Sequence, residues 1–178
     1  MKHKQSPRQT RFNEVLEQFR GRLGRIALTY AREDADDLLQ EILLQIWKSL
    51  PWFEERSTIG TWCYRIAINT AITWKRKHER KRIEQPLGNM DPATNPDNTD
   101  AEGLLPRFLA SLNDADQALL VMHLDNVDHK DIASALGVSL GAVRTRMSRL
   151  RQKLAAWDCP GEVTTSKRSE TSKEVNDG

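Results

Sequence analysis

I-A-S-A-L-G-V-S-L-G-A-V-R-T-R-M-S-R-L-R-Q-K-L, residues 132 to 154, combines helical period, a glycine and a capping serine within 23 residues. It reads as two helices joined by a tight corner. Ile132, Ala133 and Leu136 put apolar groups on one face of the first helix. Gly137 supplies a residue that turns easily at positive φ, and Val138 plugs the corner. Ser139 starts the next helix, where its hydroxyl can accept a hydrogen bond from a free backbone N–H of the first turn. Val143, Met147, Leu150 and Leu154 then recur at i, i+4, i+7 and i+11, a narrow apolar stripe of helical period. The other faces carry Arg144, Thr145, Arg146, Ser148, Arg149, Arg151 and Lys153, with no acid among them. A helix buried along one side and cationic along the rest has the form of a DNA-recognition helix. An ordinary amphipathic hairpin with a solvated basic face is the competing reading. The small residues Ala135, Gly137 and Ser139 favour helix-turn-helix, because they let two helices cross closely. The motif alone leaves open a repressor, an activator, a response regulator or a polymerase subunit.

Around this stretch, 178 residues suit one domain or two small ones. The formal net charge is only +2, so charge has to be read locally. Basic residues dominate the start, from Lys2 to Arg25, and an acidic patch follows at Glu33, Asp34, Asp36, Asp37 and Glu41. A basic run from Lys75 to Arg82 precedes a segment whose only charges are acidic, Glu84 to Glu102. Such blocks suggest several different contact surfaces. Cys63 and Cys159 are far apart and neither lies in a C-x-x-C, so neither a disulfide framework nor zinc-ligand spacing is present. No apolar run approaches the roughly 18 residues of a membrane span, and the polar N-terminus lacks a signal-peptide core. The expectation is a soluble, cytoplasmic protein without membrane insertion.

In chain order, residues 1 to about 9 lack periodicity and suggest a frayed arm. Phe12, Val15, Leu16, Phe19, Leu23, Ile26, Ala27 and Tyr30 give a first helix. Gly21 and Gly24 inside it predict a break or close packing. Glu33 to Asp37 offer capping acids for a second helix, containing Leu38, Leu39, Ile42, Leu43, Ile46, Trp47 and Leu50, which Pro51 stops. Trp52 to Thr58 is a short loop, and a third helix runs from Ile59 through Trp62 and Trp74 into the basic run. Both tryptophans suit core packing, and the run suits a solvated helix end, although its density of like charge favours a polyanion. Residues 84 to 103, rich in Pro, Gly and Asn, read as a linker. Leu104 to Leu112 resume a helical pattern, Asn113 or Asp114 can cap a helix over Ala115 to Leu124, and the tail beyond Trp157 has a disordered composition.

The histidines His3, His78, His123 and His129 are scattered, and no phosphate-loop, dinucleotide, nucleophile-elbow or zinc-protease signature occurs. Neither catalytic residues nor a metal or cofactor is expected.

Two further runs sharpen the reading. D-L-L-Q-E-I-L-L-Q-I-W from Asp37 to Trp47, P-W-F, and T-W-C-Y-R-I-A-I-N-T-A from Thr61 to Ala71 resemble the second domain of the sigma-70 family, and most closely its small extracytoplasmic-function (ECF) group. The back half, from S-L-N-D-A-D-Q-A-L-L at Ser111 to S-L-G-A-V-R-T-R-M-S-R-L at Ser139, is similar to that family's fourth domain. The resemblance implies an all-α fold of two small helical domains. Region 2 would span 10–83, a flexible linker 84–103, region 4 the residues 104–157 and a disordered tail 158–178.

It also implies a promoter-specificity subunit whose partners are core RNA polymerase and promoter DNA, with room for an anti-sigma factor. In the family, the helix matching Asp37 to Leu50 docks on the polymerase clamp coiled coil, which assigns docking to Asp37, Gln40 and Glu41. The family captures a flipped minus-ten base with the loop and helix corresponding here to Phe53, Glu54, Glu55, Arg56, Ser57, Thr58, Arg65 and Asn69. Extruding a base costs a few kcal/mol, which contacts to the unwound strand must offset. Arg144, Thr145, Ser148, Arg149 and Lys153 are implied at the minus-thirty-five element. The two elements lie roughly two DNA turns apart in the family, and about 20 extended linker residues would span some 65 to 70 Å. Members often carry aspartate where Thr73 stands and an aromatic where Ile59 stands, departures that bear on which bases are read. A free-standing helix-turn-helix regulator would explain residues 132 to 154 but not the D-L-L-Q-E and Y-R-I-A-I-N runs, and an RNA-binding or membrane-surface adaptor would rest on Lys75 to Arg82 alone.

Overall fold

Ser6 opens the first helix, α1 (Pro7–Ala31), by accepting a hydrogen bond from the Gln9 N–H at 3.3 Å. Pro7 follows at a position whose N–H has no intrahelical partner. Residues 1–5 of the expected arm lie outside the described residues, whereas its residues 7–9 are helical. Arg8 explains why: its guanidinium lies 4.1 Å from the centre of the Trp47 ring and donates to the Trp47 carbonyl, while Phe12 meets the same ring edge-on at 5.1 Å. The computed structural model describes residues 6–84 and 103–157. The residues 85–102 of the expected linker and the expected tail from residue 158 lie outside them.

The break or close packing expected at Gly21 and Gly24 is absent. The helix is continuous through both, and a Cβ on Gly24 would meet nothing within 4 Å. Val15, Phe19, Leu23, Ile26, Ala27 and Tyr30 bury one face from end to end, and that packing outweighs about 1 kcal/mol of propensity per glycine.

A 3-10 turn, Arg32–Asp34, leads into α2 (Ala35–Ser49). Asp34 sits at the cap position but its side chain makes no capping hydrogen bond. The acids act through Asp36 and Asp37 in the first turn, whose charges face the positive end of the helix dipole. Leu38, Ile42 and Ile46 are buried, and the helix gives way to a 3-10 turn, Leu50–Trp52, that contains Pro51. Thr58 then caps α3 (Ile59–Glu84), its Oγ1 accepting from the Thr61 N–H at 3.1 Å. Cys63, Tyr64, Ala67, Ile68 and Ala71 bury the first half of α3 against α1 and α2, completing a three-helix bundle. Burial pushes the Cys63 thiol up to about 12, which makes it a packing group and not a nucleophile.

The back half comprises α4 (Leu104–Ala110), α5 (Asp114–Leu124), α6 (His129–Leu136) and α7 (Leu140–Ala155). Asn113, one of the two expected caps, accepts from the Asp116 N–H at 3.0 Å. Phe108, Leu109 and Leu112 enter the core, whereas Leu104 and Leu105 stay exposed. Trp157 closes this half, edge-on to Phe108 at 5.3 Å. The two halves are packed together, with α1 and α3 against α4, α5 and α6. No strand occurs among the described residues.

Two glycines in the bundle should respond in opposite directions to alanine. Gly24→Ala is expected to stabilise by about 0.5–1 kcal/mol, because open space surrounds the new methyl. At Gly60 a Cβ would lie 2.9 Å from the Phe19 ring, so Gly60→Ala should destabilise by about 1–3 kcal/mol through overpacking. Chemical denaturation of the two variants measures both, and equal signs would contradict the packing described.

Candidate nucleic-acid interface

Gly137 makes the corner between α6 and α7. It adopts φ 67 and ψ 32, left-handed backbone that favours glycine, and its N–H closes α6 on the Ala133 carbonyl. The Val138 N–H reaches the same carbonyl at 3.0 Å, and Ser139 Oγ accepts from the Ala142 N–H at 3.1 Å. The corner thus has the form read from the sequence. Ile132, Ala133 and Ala135 of α6 and Val143, Met147 and Leu150 of α7 are buried. The apolar stripe ends there, because Leu154, expected as its last member, is 48% exposed.

With Val143, Met147 and Leu150 turned inward, Arg144, Thr145, Ser148 and Arg149 are all exposed on the remaining faces of α7. Lys153 is exposed too, but lies at the edge of this surface, 3.8 Å from an Asp116 carboxylate oxygen. Four exposed donors with no acid among them on one helix form a surface for a polyanion.

The second group of candidates lies in the loop before α3. Phe53 is half-buried, its ring 5.0 Å from Trp62 and beneath the Arg11 guanidinium at 5.1 Å, so it anchors the loop. Glu55 is held by Arg11 at 2.7 Å and Glu54 by Arg56 at 2.6 Å. Ser57 is half-buried, and Thr58 is committed to capping α3 and to the Thr61 hydroxyl at 2.8 Å. Next to this loop Trp52 is 81% exposed, a position that the pattern of apolar residues gave no means of telling from a core aromatic.

Along α3, Asn69 is exposed, whereas the Arg65 guanidinium is directed to the carbonyls of Ser134 and Ala135 at the end of α6. A groove between α2 and α3 has Asp37 and Glu41 on one wall and Asn69, Thr73 and Trp74 on the other. Glu41 accepts from Gln45 at 2.6 Å, while Asp37 and Gln40 project freely to solvent. Trp74 is stacked on His78 with ring centres 3.5 Å apart. Beyond it Arg76, Lys77, Arg80 and Lys81 are exposed, whereas Lys75 is drawn aside to Asp114 at 2.7 Å. The structure thus gathers Asp37, Glu41 and Asn69 around one groove and leaves the α7 residues on a separate face.

A three-helix bundle followed by a helix-turn-helix with an uncovered cationic recognition helix defines a two-part, all-α DNA-binding protein. Comparison with known proteins makes the class specific. Residues 15–81 match the model of sigma-70 region 2, and residues 102–154 match that of sigma-70 region 4. The ECF RNA polymerase sigma-E factor of Haemophilus influenzae is 25% identical over 160 residues, covering 80% of this chain and 85% of that protein. The ECF sigma factor SigE of Mycolicibacterium smegmatis is 29% identical over 161 residues, covering 80% and 60% respectively. Among solved structures, the sigma factor RpoE of Bartonella quintana in complex with the anti-sigma factor NepR aligns with a TM-score of 0.65 at 20% identity, covering 83% of this chain and 96% of that one. CnrH in complex with the cytosolic domain of CnrY aligns at 0.62 with 21% identity, covering 83% and 87%. The chain belongs to the sigma-70 family, as an ECF sigma factor. It is a promoter-directing partner of RNA polymerase and not an enzyme. No helix among the described residues is long and apolar enough to cross a membrane.

The corner itself yields an expected outcome. Ser139→Ala removes the only side-chain cap of α7 and should lower unfolding free energy by about 1 kcal/mol, read as a shift in the denaturant midpoint. An unchanged midpoint would mean that Ser139 Oγ does not hold the first turn.

Proposed function

We propose that the two halves divide promoter recognition between them in the cytoplasm. The front half, from Pro7 to about residue 83, joins core polymerase and handles the minus-ten element. The back half, 104 to 157, reads the minus-thirty-five element, with residues 84–103 as the linker. The observation that carries this reading is the ordered pair of region matches, on a chain whose recognition helix leaves Arg144, Thr145, Ser148 and Arg149 uncovered.

Docking is assigned to Asp37, Gln40 and Glu41, which stand off the buried Leu38–Ile42–Ile46 stripe of α2. Minus-ten capture is assigned to Glu54 to Thr58, Arg65 and Asn69. Asn69 supplies an exposed amide over the α2–α3 groove, and Phe53, packed on Trp62, sets the loop in place. This narrows the role expected of Phe53 from base contact to support. The RpoE structure of Bartonella quintana is a complex with an anti-sigma factor, and such a factor is the corresponding partner proposed for this chain.

Two outcomes test the assignment. Gln40→Ala with Glu41→Ala should leave the bundle folded and weaken core polymerase binding by about 1.5–3 kcal/mol, the value of hydrogen bonds to charged groups. A titration against core polymerase with unchanged affinity would remove the docking role. On α7, a bidentate arginine contact to guanine discriminates by about 1–3 kcal/mol, whereas a phosphate contact weakens all sequences alike. Promoter selection by reconstituted holoenzyme should therefore relax at the minus-thirty-five element with Arg144→Ala or Arg149→Ala. With Lys153→Ala it should weaken uniformly. Identical sequence preferences for the wild type and both arginine variants would show that these arginines do not read bases.

A further inference from the structure

The loop before α3 holds a backbone conformation that its sequence disfavours. Glu55 adopts φ 58, in the left-handed region. With a Cβ present, that region crowds the side chain against the following carbonyl, and it is populated about five- to thirtyfold less than right-handed backbone. Arg32 and Asn126, the other non-glycine residues of positive φ among the described residues, stand just past the ends of α1 and α5, where such backbone commonly closes a helix. Glu55 lies inside a loop. A residue so placed keeps its conformation where its surroundings impose it, and such residues gather at binding sites. What imposes it here comes from α1. The Arg11 guanidinium donates to the Glu55 carboxylate at 2.7 Å and lies 5.1 Å from the centre of the Phe53 ring, so one side chain holds the loop at two points. Phe53 in turn packs on Trp62 of α3 at 5.0 Å. Arg11 is presented from a fixed base, because Arg8 and Phe12 on either side of it are both seated on Trp47 of α2. With the chain reversed at Glu55, the flanking Glu54 and Arg56 meet each other at 2.6 Å, and both are exposed.

We propose that Arg11 is a positioning residue for minus-ten capture, latching the loop through Glu55 and Phe53 in the conformation that receives the unpaired base. The inference rests on the assignment of this loop to the minus-ten element made above. It moves Glu55 from the groups that meet the base to those that hold the loop.

Magnitudes make the latch matter. The Arg11 and Glu55 side chains are 42% and 71% exposed, so their ion pair is of the weak, solvent-screened kind. An exposed ion pair and an exposed cation–π contact each favour the held state by a factor of about two to five. Their product is of the size needed to offset a left-handed turn at a glutamate, and neither contact alone reaches the upper end of that cost. The loop is therefore held closely enough that removing Arg11 lets its turn relax. A loop ordered before the base arrives carries no ordering cost at binding, whereas a relaxed one binds more weakly by the fraction of molecules that retain the turn. Arg11 itself need touch no DNA for this effect.

The test measures binding of reconstituted holoenzyme to a forked duplex, a promoter from the selection above whose non-template strand is unpaired across the minus-ten element. The same fork is prepared with each minus-ten base in turn removed from its sugar. The ratio of intact to abasic affinity isolates base capture, because a change in protein charge acts on the phosphates of both forks alike. For the wild type this ratio should exceed one at the captured position. Arg11→Ala should lower it about three- to tenfold, with helicity and affinity for core polymerase unchanged. Arg11→Lys keeps a charge opposite Glu55 and should retain more of the ratio than alanine does. Arg11→Ala combined with Glu55→Gly should regain part of it, since glycine takes positive φ at no steric cost. A wild-type ratio in Arg11→Ala would overturn the latch. Failure of both the lysine and the glycine variants to improve on Arg11→Ala would also overturn it, by showing that Arg11 does not act through Glu55. Should Arg11→Ala lose helicity, Glu55→Gln removes the same ion pair from the loop side, and an unchanged ratio there overturns the latch. A wild-type ratio of one at every position would instead strike the minus-ten assignment of the loop, and the latch with it.

Discussion

The carboxylate of Asp125 governs how the two halves of this protein meet. A buried acid is unfavourable unless it is paired and hydrogen-bonded, and here Arg25 and Tyr64, both from the other half, do both. Tyr30, which donates to the Asp114 carbonyl at 2.8 Å, and Gln117, which donates to the Thr29 carbonyl at 3.3 Å, tie α1 to α5 beside it. Thr61, Arg65 and Lys75 then meet Asp131, the end of α6 and Asp114 along the same seam. Apolar packing joins the halves as well, since the buried core runs continuously through both.

The elements that the sequence makes plain are those whose signal is local. Gly137, Val138 and Ser139 specify the corner through a left-handed backbone, a closed carbonyl and a hydroxyl cap, and each is found where its residue type indicates. The α2 stripe and its stop at Pro51 follow from helical period and proline chemistry. Less legible were features set by distant partners. The start of α1 moves forward to Pro7 because Arg8 and Phe12 find Trp47, thirty-nine residues away for Arg8. Gly21 and Gly24 stay helical because the opposite face of α1 is buried throughout.

The same distinction applies to the site. Exposure of Arg144, Thr145, Ser148 and Arg149 follows from the phase of Val143 and Met147, so the sequence contains it. The orientation of Arg65 and the packing of Phe53 do not follow from phase. Each depends on a surface that arrives from elsewhere in the chain: α6 for Arg65, and Trp62 with Arg11 for Phe53. Pairwise composition foretold cationic and acidic blocks, but not that Asp114, Asp125 and Asp131 would be matched to donors of the front half.

The central claim is that this chain gives core polymerase its promoter preference through two separate DNA contacts. Transcription in vitro by core polymerase and the purified protein on a randomised promoter library measures it directly. Initiation is expected only with the protein present, from templates sharing two short motifs at a fixed separation of about two helical turns. Initiation independent of the protein, or from templates sharing a single motif, would contradict it.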